Sequence, residues 1–202
     1  MIKKLHLTEY LGREGINSDL IHSLKSLFTL REYQKGDTIL NMGENTKVVC
    51  LILQGMVRGV YIDKEGEEIT KCFSKEGEWC CFYNMLKDSP SEYWIEALED
   101  CQVAEIAVEQ LRNVLNASQQ LRTLYEKIYN NAFVLSDEKG VLFQRMQAKE
   151  RYLYFVYKYP DIAERVKQEY IASYIGITPS SYSILIALPD SIREKLMVRF
   201  NR

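Results

Sequence analysis

Three textures of apolar and polar residues follow one another along the chain. Residues 5–29 carry apolar side chains at helical spacing, Leu20, Leu24, Leu27 and Phe28 among them, and predict short N-terminal helices. From about Leu30 the period shortens. The stretch "REYQKGDTILNMGENTKVVCLILQGMVRGVYIDKEGEEITKCFSKEGEWCCF" holds short β-rich runs divided by "KGD", "GEN", "QG", "DKEGEE" and "EGE", a spacing that predicts an antiparallel sandwich or barrel. Asp63-Lys64-Glu65-Gly66 reads as a hairpin loop in which Gly66 supplies a positive φ, and "CQVAEIAV" is the closing strand. Helical spacing then returns. Leu121, Leu124, Ile128, Ala132, Leu135, Leu142 and Met146 fall largely on one stripe of a long helix. A small β domain cannot cover such a stripe along its whole length. Two covers remain open: a second copy of the chain, giving a coiled-coil-like homodimer seam, or the chain's own C-terminal module. Gly140 within "SDEKG" weakens the stripe and predicts a bend.

Beyond that helix, "AKERYLYFVYKYP" predicts a compact amphipathic helix stopped by Pro160. The next segment, "YIASYIGITPSSYSILIALPD", has the grammar of a helix–turn–helix. Lys167 to Tyr174 forms the first helix, with Ile171 and Ile175 inward and Ala172 small enough for close approach. Gly176 permits the left-handed turn, Thr178 is the N-cap of the second helix, and Pro179 fits its first position. Ile177 and Tyr182 are spaced as a hydrophobic staple. In the tail, Ser191 and Glu194 form a capping-box pattern before Leu196, Met197 and Phe200. The fold class expected is α+β: an antiparallel jelly-roll-like β-roll, a long helix, and a C-terminal helix–turn–helix. Its domains run 1–117, 118–147 and 148–202.

Composition changes this picture in a few places. The formal net charge of −2 hides an asymmetry: residues 141–202 hold 10 Lys and Arg against 6 Asp and Glu, leaving 16 and 22 in residues 1–140. An acidic sensor joined to a basic nucleic-acid module has this balance. No apolar run reaches the roughly 18 residues of a membrane span, and no secretory signal is read at the N-terminus, so a cytoplasmic protein is expected. Five cysteines without a CxxC fit a reducing compartment. Cys50, Cys72 and Cys101 read as small buried hydrophobes, while Cys80 and Cys81, if extended, point to opposite faces. His6 and His22 are remote in sequence, so neither a metal site nor a bound cofactor is expected. With no catalytic constellation and no phosphate loop, neither is an enzyme.

Taken in order, these parts resemble the Crp/Fnr superfamily of bacterial transcription regulators over nearly the whole chain. Three stretches carry the likeness: "YQKGDTILNMGEN…VVCLILQGMVRGVY", "CQVAEIAVEQLRNVL" and "KERYLYFVYKYPDIAERVKQEYIASYIGITPSS". The resemblance implies a cyclic-nucleotide-binding-domain roll, a dimerisation helix, and effector-driven rotation of paired DNA-binding modules. It also implies a nucleotide pocket in which the glutamate of a Gly-Glu pair bonds the ribose and an Arg-Ser/Thr pair holds the cyclic phosphate. Here Cys81-Phe82 and Ser91-Glu92 occupy those positions, so cyclic AMP is not the expected effector. Phe82, Tyr83, Ser91, Glu92, Tyr93 and Trp94 are the candidate effector-pocket residues. Together with Trp79 and Met85 their aromatic members either line a pocket for an unknown small molecule or simply fill the roll.

The resemblance further implies cations on the second, base-reading helix. This chain has Ile184, Leu185, Ile186 and Ala187 there, and no Lys or Arg between Lys167 and Arg193. Candidate DNA contacts are therefore Thr178, Ser180, Ser181, Tyr182 and Ser183 by hydrogen bonding, with Lys167, Arg193 and Lys195 on phosphates. Two readings stay open. One is a homodimeric regulator with altered, weak binding to duplex DNA. The other is a degenerate member, a ligand-sensing or protein-interaction module whose Ile184 and Ile186 pack on Leu196 and Phe200.

Overall fold

The computed structural model describes residues 5–81 and 89–187. The chain divides into two compact units, Met1–Tyr61 with Cys72–Asn131, and Ile62–Lys71 with Ala132–Arg202.

The first unit opens with helices α1 (Leu7–Arg13) and α2 (Ser18–Lys25). Asn17 caps α2, its side-chain oxygen accepting from the Leu20 amide at 2.9 Å. Among the described residues eight strands follow: β1 (Phe28–Tyr33), β2 (Thr38–Leu40), β3 (Val48–Gln54), β4 (Val57–Ile62), β5 (Glu68–Ser74), β6 (Trp79–Cys80), β7 (Trp94–Ala97) and β8 (Cys101–Ala107). They form two four-stranded sheets, ordered β1-β8-β3-β6 and β2-β7-β4-β5. This is the antiparallel β-roll that the punctuated strand pattern predicts. Strand β3 explains why "VVCLIL" does not alternate. Cys50 and Ile52 enter the core between the sheets, beside Val57, Ile95 and Val103, while Leu51 and Leu53 meet a second core built from α1 and α2.

Two helices leave the roll, α3 (Val108–Ala117) and α4 (Gln119–Arg145). At 27 residues α4 is about 40 Å long, and it continues unbroken through Gly140. Its apolar stripe is not one uniform seam. Leu121 and Leu124 are buried against Leu7, Leu11 and Leu24, with Ile128 packed beside them, so this chain's own N-terminal helices cover the start of the stripe. Farther along, Phe133, Val134, Leu135, Val141 and Phe143 stand exposed, Phe133 by 64%.

The second unit is built on α5 (Ala148–Lys158), α6 (Pro160–Arg165), α7 (Gln168–Ile175) and α8 (Pro179–Ile186). Gln147 and Glu150 close a reciprocal capping box at the start of α5, and Pro160 opens α6. Phe155 is the centre of the packing, 5.5 Å from the Tyr159 ring and 5.3 Å from that of Tyr174. The hairpin of residues 62–71 belongs to this unit. Asp63 Oδ1 accepts from the Glu65 and Glu67 amides, and Gly66 holds φ +87°. The Ser173 hydroxyl of α7 accepts from the Thr70 amide at 2.8 Å and donates to the Glu68 carbonyl. The sequence pattern gave no hint of this clasp.

Candidate effector site and nucleic-acid interface

The described candidate pocket residues of the roll point in different directions. Tyr93, just before β7, is buried edge-on to Tyr61 at 5.6 Å, and desolvation pushes its phenol far above the ordinary range. Trp79 turns the other way: its indole N–H donates to the Tyr10 hydroxyl at 2.7 Å, and its ring abuts Phe28. Trp94 is half-buried at the start of β7. Ser91 is buried, but its hydroxyl is taken up by the Tyr93 backbone, while the Glu92 side chain is exposed. Phe82, Tyr83 and Met85 lie outside the described residues. Of the six candidate pocket residues, then, Ser91 and Tyr93 are inside the roll and Glu92 is outside.

A different cluster occupies the interior. Across one rung of the first sheet, Thr29 faces Glu105, Glu105 faces Cys50, and Cys50 faces Cys80. The thiol sulfurs of Cys50, Cys80 and Cys81 lie within 4.8 Å of one another, and all three residues are buried. An extended chain would send the side chains of Cys80 and Cys81 to opposite faces. Cys81 escapes that rule because its backbone is left-handed, at φ +64°, so both thiols converge on Cys50. Among the described residues it is the one non-glycine with positive φ, a conformation that costs an L-residue about 1–2 kcal/mol. The resemblance implies glycine at this position. Hydrogen bonding among the thiols, together with burial, holds all three well above the ordinary thiol range. Glu105 beside them is buried too, accepting from the Tyr33 hydroxyl at 2.7 Å and paired with Arg31 at 3.5 Å. The expectation of no metal or ligand cluster rested on extended geometry at Cys81 and on sequence distance. The "CC" doublet was the one local signal, and register across β3 and β6 supplies the rest.

Charge elsewhere in the roll is already engaged. Arg58, buried on β4, pairs with Glu96, its register partner on β7. In the second unit, a cavity of about 10 Å³ lined by Leu135, Phe143, Tyr154, Phe155 and Tyr174 has room for about one water molecule, not for an effector.

The helix–turn–helix is formed with good local geometry. Gly176 ends α7 in the left-handed region at φ +68°, and Thr178 caps α8, its hydroxyl accepting from the Ser181 amide at 3.2 Å. Arg151, unnoticed in the sequence, braces the turn. Its guanidinium donates to the carbonyls of Ile175 and Met146, each at 2.8 Å, and lies 4.9 Å from the Phe143 ring. These bonds satisfy carbonyls that helix ends leave open.

On α8 the candidates separate. Thr178, Ser180, Ser181 and Ser183 are exposed; the first three share hydroxyl hydrogen bonds, and Ser183 donates to the Pro179 carbonyl. Tyr182 must be corrected. It is 4% exposed, perpendicular to the Tyr152 ring at 5.2 Å, and burial pushes its phenol up to about 12. It anchors the helix and does not face outward. Ile184 is 69% exposed, the outermost large apolar side chain of α8. Lys167 is exposed at the N-cap of α7, 3.2 Å from Glu169. Arg193 and Lys195 lie outside the described residues, as do Leu196, Phe200 and the Ser191 capping box.

Comparison with known proteins agrees with this architecture. Residues 30–118 match the cyclic nucleotide-binding domain model. The chain is 24% identical over 157 residues to the fumarate and nitrate reduction regulatory protein of Vibrio cholerae, covering 78% of this chain. The match spans 59% of that relative, under two thirds of its length. FixK2 from Bradyrhizobium japonicum superposes with a TM-score of 0.71 at 18% identity, covering 79% of this chain and 83% of that one. The c-di-GMP responsive global regulator CLP of Xanthomonas campestris gives 0.70 at 14% identity, covering 84% and 90%. Residues 30–118 are thus similar to the cyclic nucleotide-binding domain, and the chain as a whole has the fold of the solved Crp/Fnr regulators.

Proposed function

We propose that the chain is a homodimeric, cytoplasmic DNA-binding transcription regulator whose effector is not cyclic AMP. The observation that carries this reading is the capped and braced α7–turn–α8 motif, whose N-terminal hydroxyls at Thr178, Ser180, Ser181 and Ser183 face outward together. Amides and hydroxyls at a helix N-terminus suit phosphate, and Lys167 adds one exposed cation nearby. Duplex DNA is the partner so implied. The exposed apolar row from Phe133 to Phe143 supports pairing through the later half of α4 with a second copy. For the effector, Ser91 stands where the resemblance implies the phosphate-holding arginine, and its hydroxyl is engaged with the Tyr93 backbone, so a cyclic phosphate would lack its bidentate partner there.

One observation favours the other reading. Ile184, where the resemblance implies a cation, is an exposed hydrophobe, and such a side chain suits a protein surface better than a phosphate. Fluorescence anisotropy with upstream-region and random duplexes, titrated across salt, separates the two. A regulator prefers one duplex and loses affinity as salt rises. No binding at low salt by an intact dimer, with cell-extract metabolites present, would leave the interaction module.

A further inference from the structure

Nothing in the proposed regulator uses the three thiols of the roll, yet they are the most unusual chemistry it contains. They come from two strands that pair across the sheet, and the third reaches the group only through a left-handed backbone at Cys81. Cysteines buried merely as small hydrophobes have no need of that conformation. Their sulfurs, all within 4.8 Å, are close enough to be drawn onto one centre.

We propose that Cys50, Cys80 and Cys81 form a binding site for a trivalent thiophilic metalloid, taken up as its oxyacid, arsenite or antimonite. Ligand number is the first argument. A trivalent centre with a lone pair is complete with three sulfurs in a pyramid, whereas structural zinc takes four ligands, and among the described residues the cluster offers three. Charge is the second. Three thiolates on a monovalent copper ion would leave two negative charges in the roll interior, and on zinc one, where burial of unpaired charge is costly. Arg31, the cation beside this rung, is already paired with Glu105. Metalloid exchange avoids the problem. In As(OH)₃ + 3 Cys–SH → As(S–Cys)₃ + 3 H₂O, three As–O bonds break and three As–S bonds form. Each thiol proton leaves on a hydroxide as water. Arsenic remains trivalent, and the product is neutral. Position is the third: Cys81 is the chain neighbour of Phe82, which stands in sequence where the resemblance implies the ribose-bonding glutamate. Binding itself does not depend on α8 reading DNA; only its role as an effector rests on the proposed function.

The test uses the full chain, kept reduced and titrated with sodium arsenite. Native mass spectrometry should show one arsenic per chain, with the mass of three protons lost, and X-ray absorption at the arsenic edge should count three sulfur neighbours. Cys50→Ser, Cys80→Ser and Cys81→Ser should each lose uptake at stoichiometric arsenite, while Cys72→Ser keeps it. The absorption spectrum of the unaltered protein counts sulfurs without any variant, so a misfolded mutant cannot rescue or sink the idea. No uptake, fewer than three sulfurs, or uptake that survives all three substitutions overturns the site. Zinc(II) or copper(I) retained in preference to arsenite overturns the ligand class. Salt-sensitive DNA binding by a protein that takes up no arsenite removes this site alone and leaves the regulator standing.

Discussion

Inside the roll and along α8, the cations that the Crp/Fnr resemblance implies are missing, and what stands in their place differs in kind. In the roll, Ser91 folds onto its own backbone, Arg58 pairs with Glu96, and three thiols gather on one point. On α8, Ile184 simply projects from the helix. A buried polar substitution must find partners or the fold pays in stability, so the interior records compensation. An exposed position is under no such demand. A loss there is informative only about function, whereas a loss in the roll also reorganises its neighbours.

The scaffold around α8 is as demanding as the roll, and one substitution should expose that. A Cβ on Gly176 would lie 2.7 Å from Cε1 of Phe143, at a backbone φ of +68°. Left-handed strain of about 1–2 kcal/mol and overpacking of about 1–3 kcal/mol predict a loss of about 2–5 kcal/mol for Gly176→Ala. Urea unfolding followed by circular dichroism measures it. An unchanged midpoint would mean that the turn is held far less tightly than Arg151 and Phe143 imply.

How much of this was legible in the sequence follows the range of the forces involved. Gly66, Gly176 and Thr178 act on backbone groups within a few residues, so local spelling is enough. The roll was legible because turn signals recur between apolar runs. Distance in sequence hid the rest. Tyr182 reads as an outward side chain until Tyr152, on another helix, covers it. Leu121 and Leu124 read as a dimer seam until Leu7 and Leu11 reach them from the N-terminus. The thiol cluster needed both the β3–β6 register and a left-handed Cys81, and a cysteine doublet specifies neither.

Alkaline titration sharpens the comparison between the two regions. Cys101 is pushed up to about 11 by burial, and Cys50, Cys80 and Cys81 rise well above their ordinary value of 9.0 through hydrogen bonding among themselves and then burial. A folded-state pKa above the unfolded one leaves stability unchanged below pH 9.0. As pH climbs past that point the unfolded chain releases protons that the folded chain retains, and stability falls. Tyr182, pushed up to about 12, begins to act only above its ordinary 10.0. Weakening between pH 9 and 10 should therefore start in the roll. Both tryptophans, Trp79 and Trp94, lie there, so their fluorescence should report a falling urea midpoint in that window. Cys101→Ser should make the fall shallower. A flat midpoint up to pH 10 would mean that solvent already reaches the thiols.

The smallest expected effect falls on the exposed side of the comparison. Ile184→Arg places a cation where the side chain is already 69% exposed, so nothing in the fold should resist it. Thermal stability should stay within about 0.5 kcal/mol of the parent, as for most surface changes. If α8 lies along DNA, one added phosphate contact steepens the slope of log affinity against log salt by about 0.9. A contact to a base edge would instead sharpen preference for one duplex at nearly the same salt slope. Unchanged affinity at every salt concentration would place the arginine away from any nucleic acid, and Ile184 would then be the side chain to follow into a protein interface.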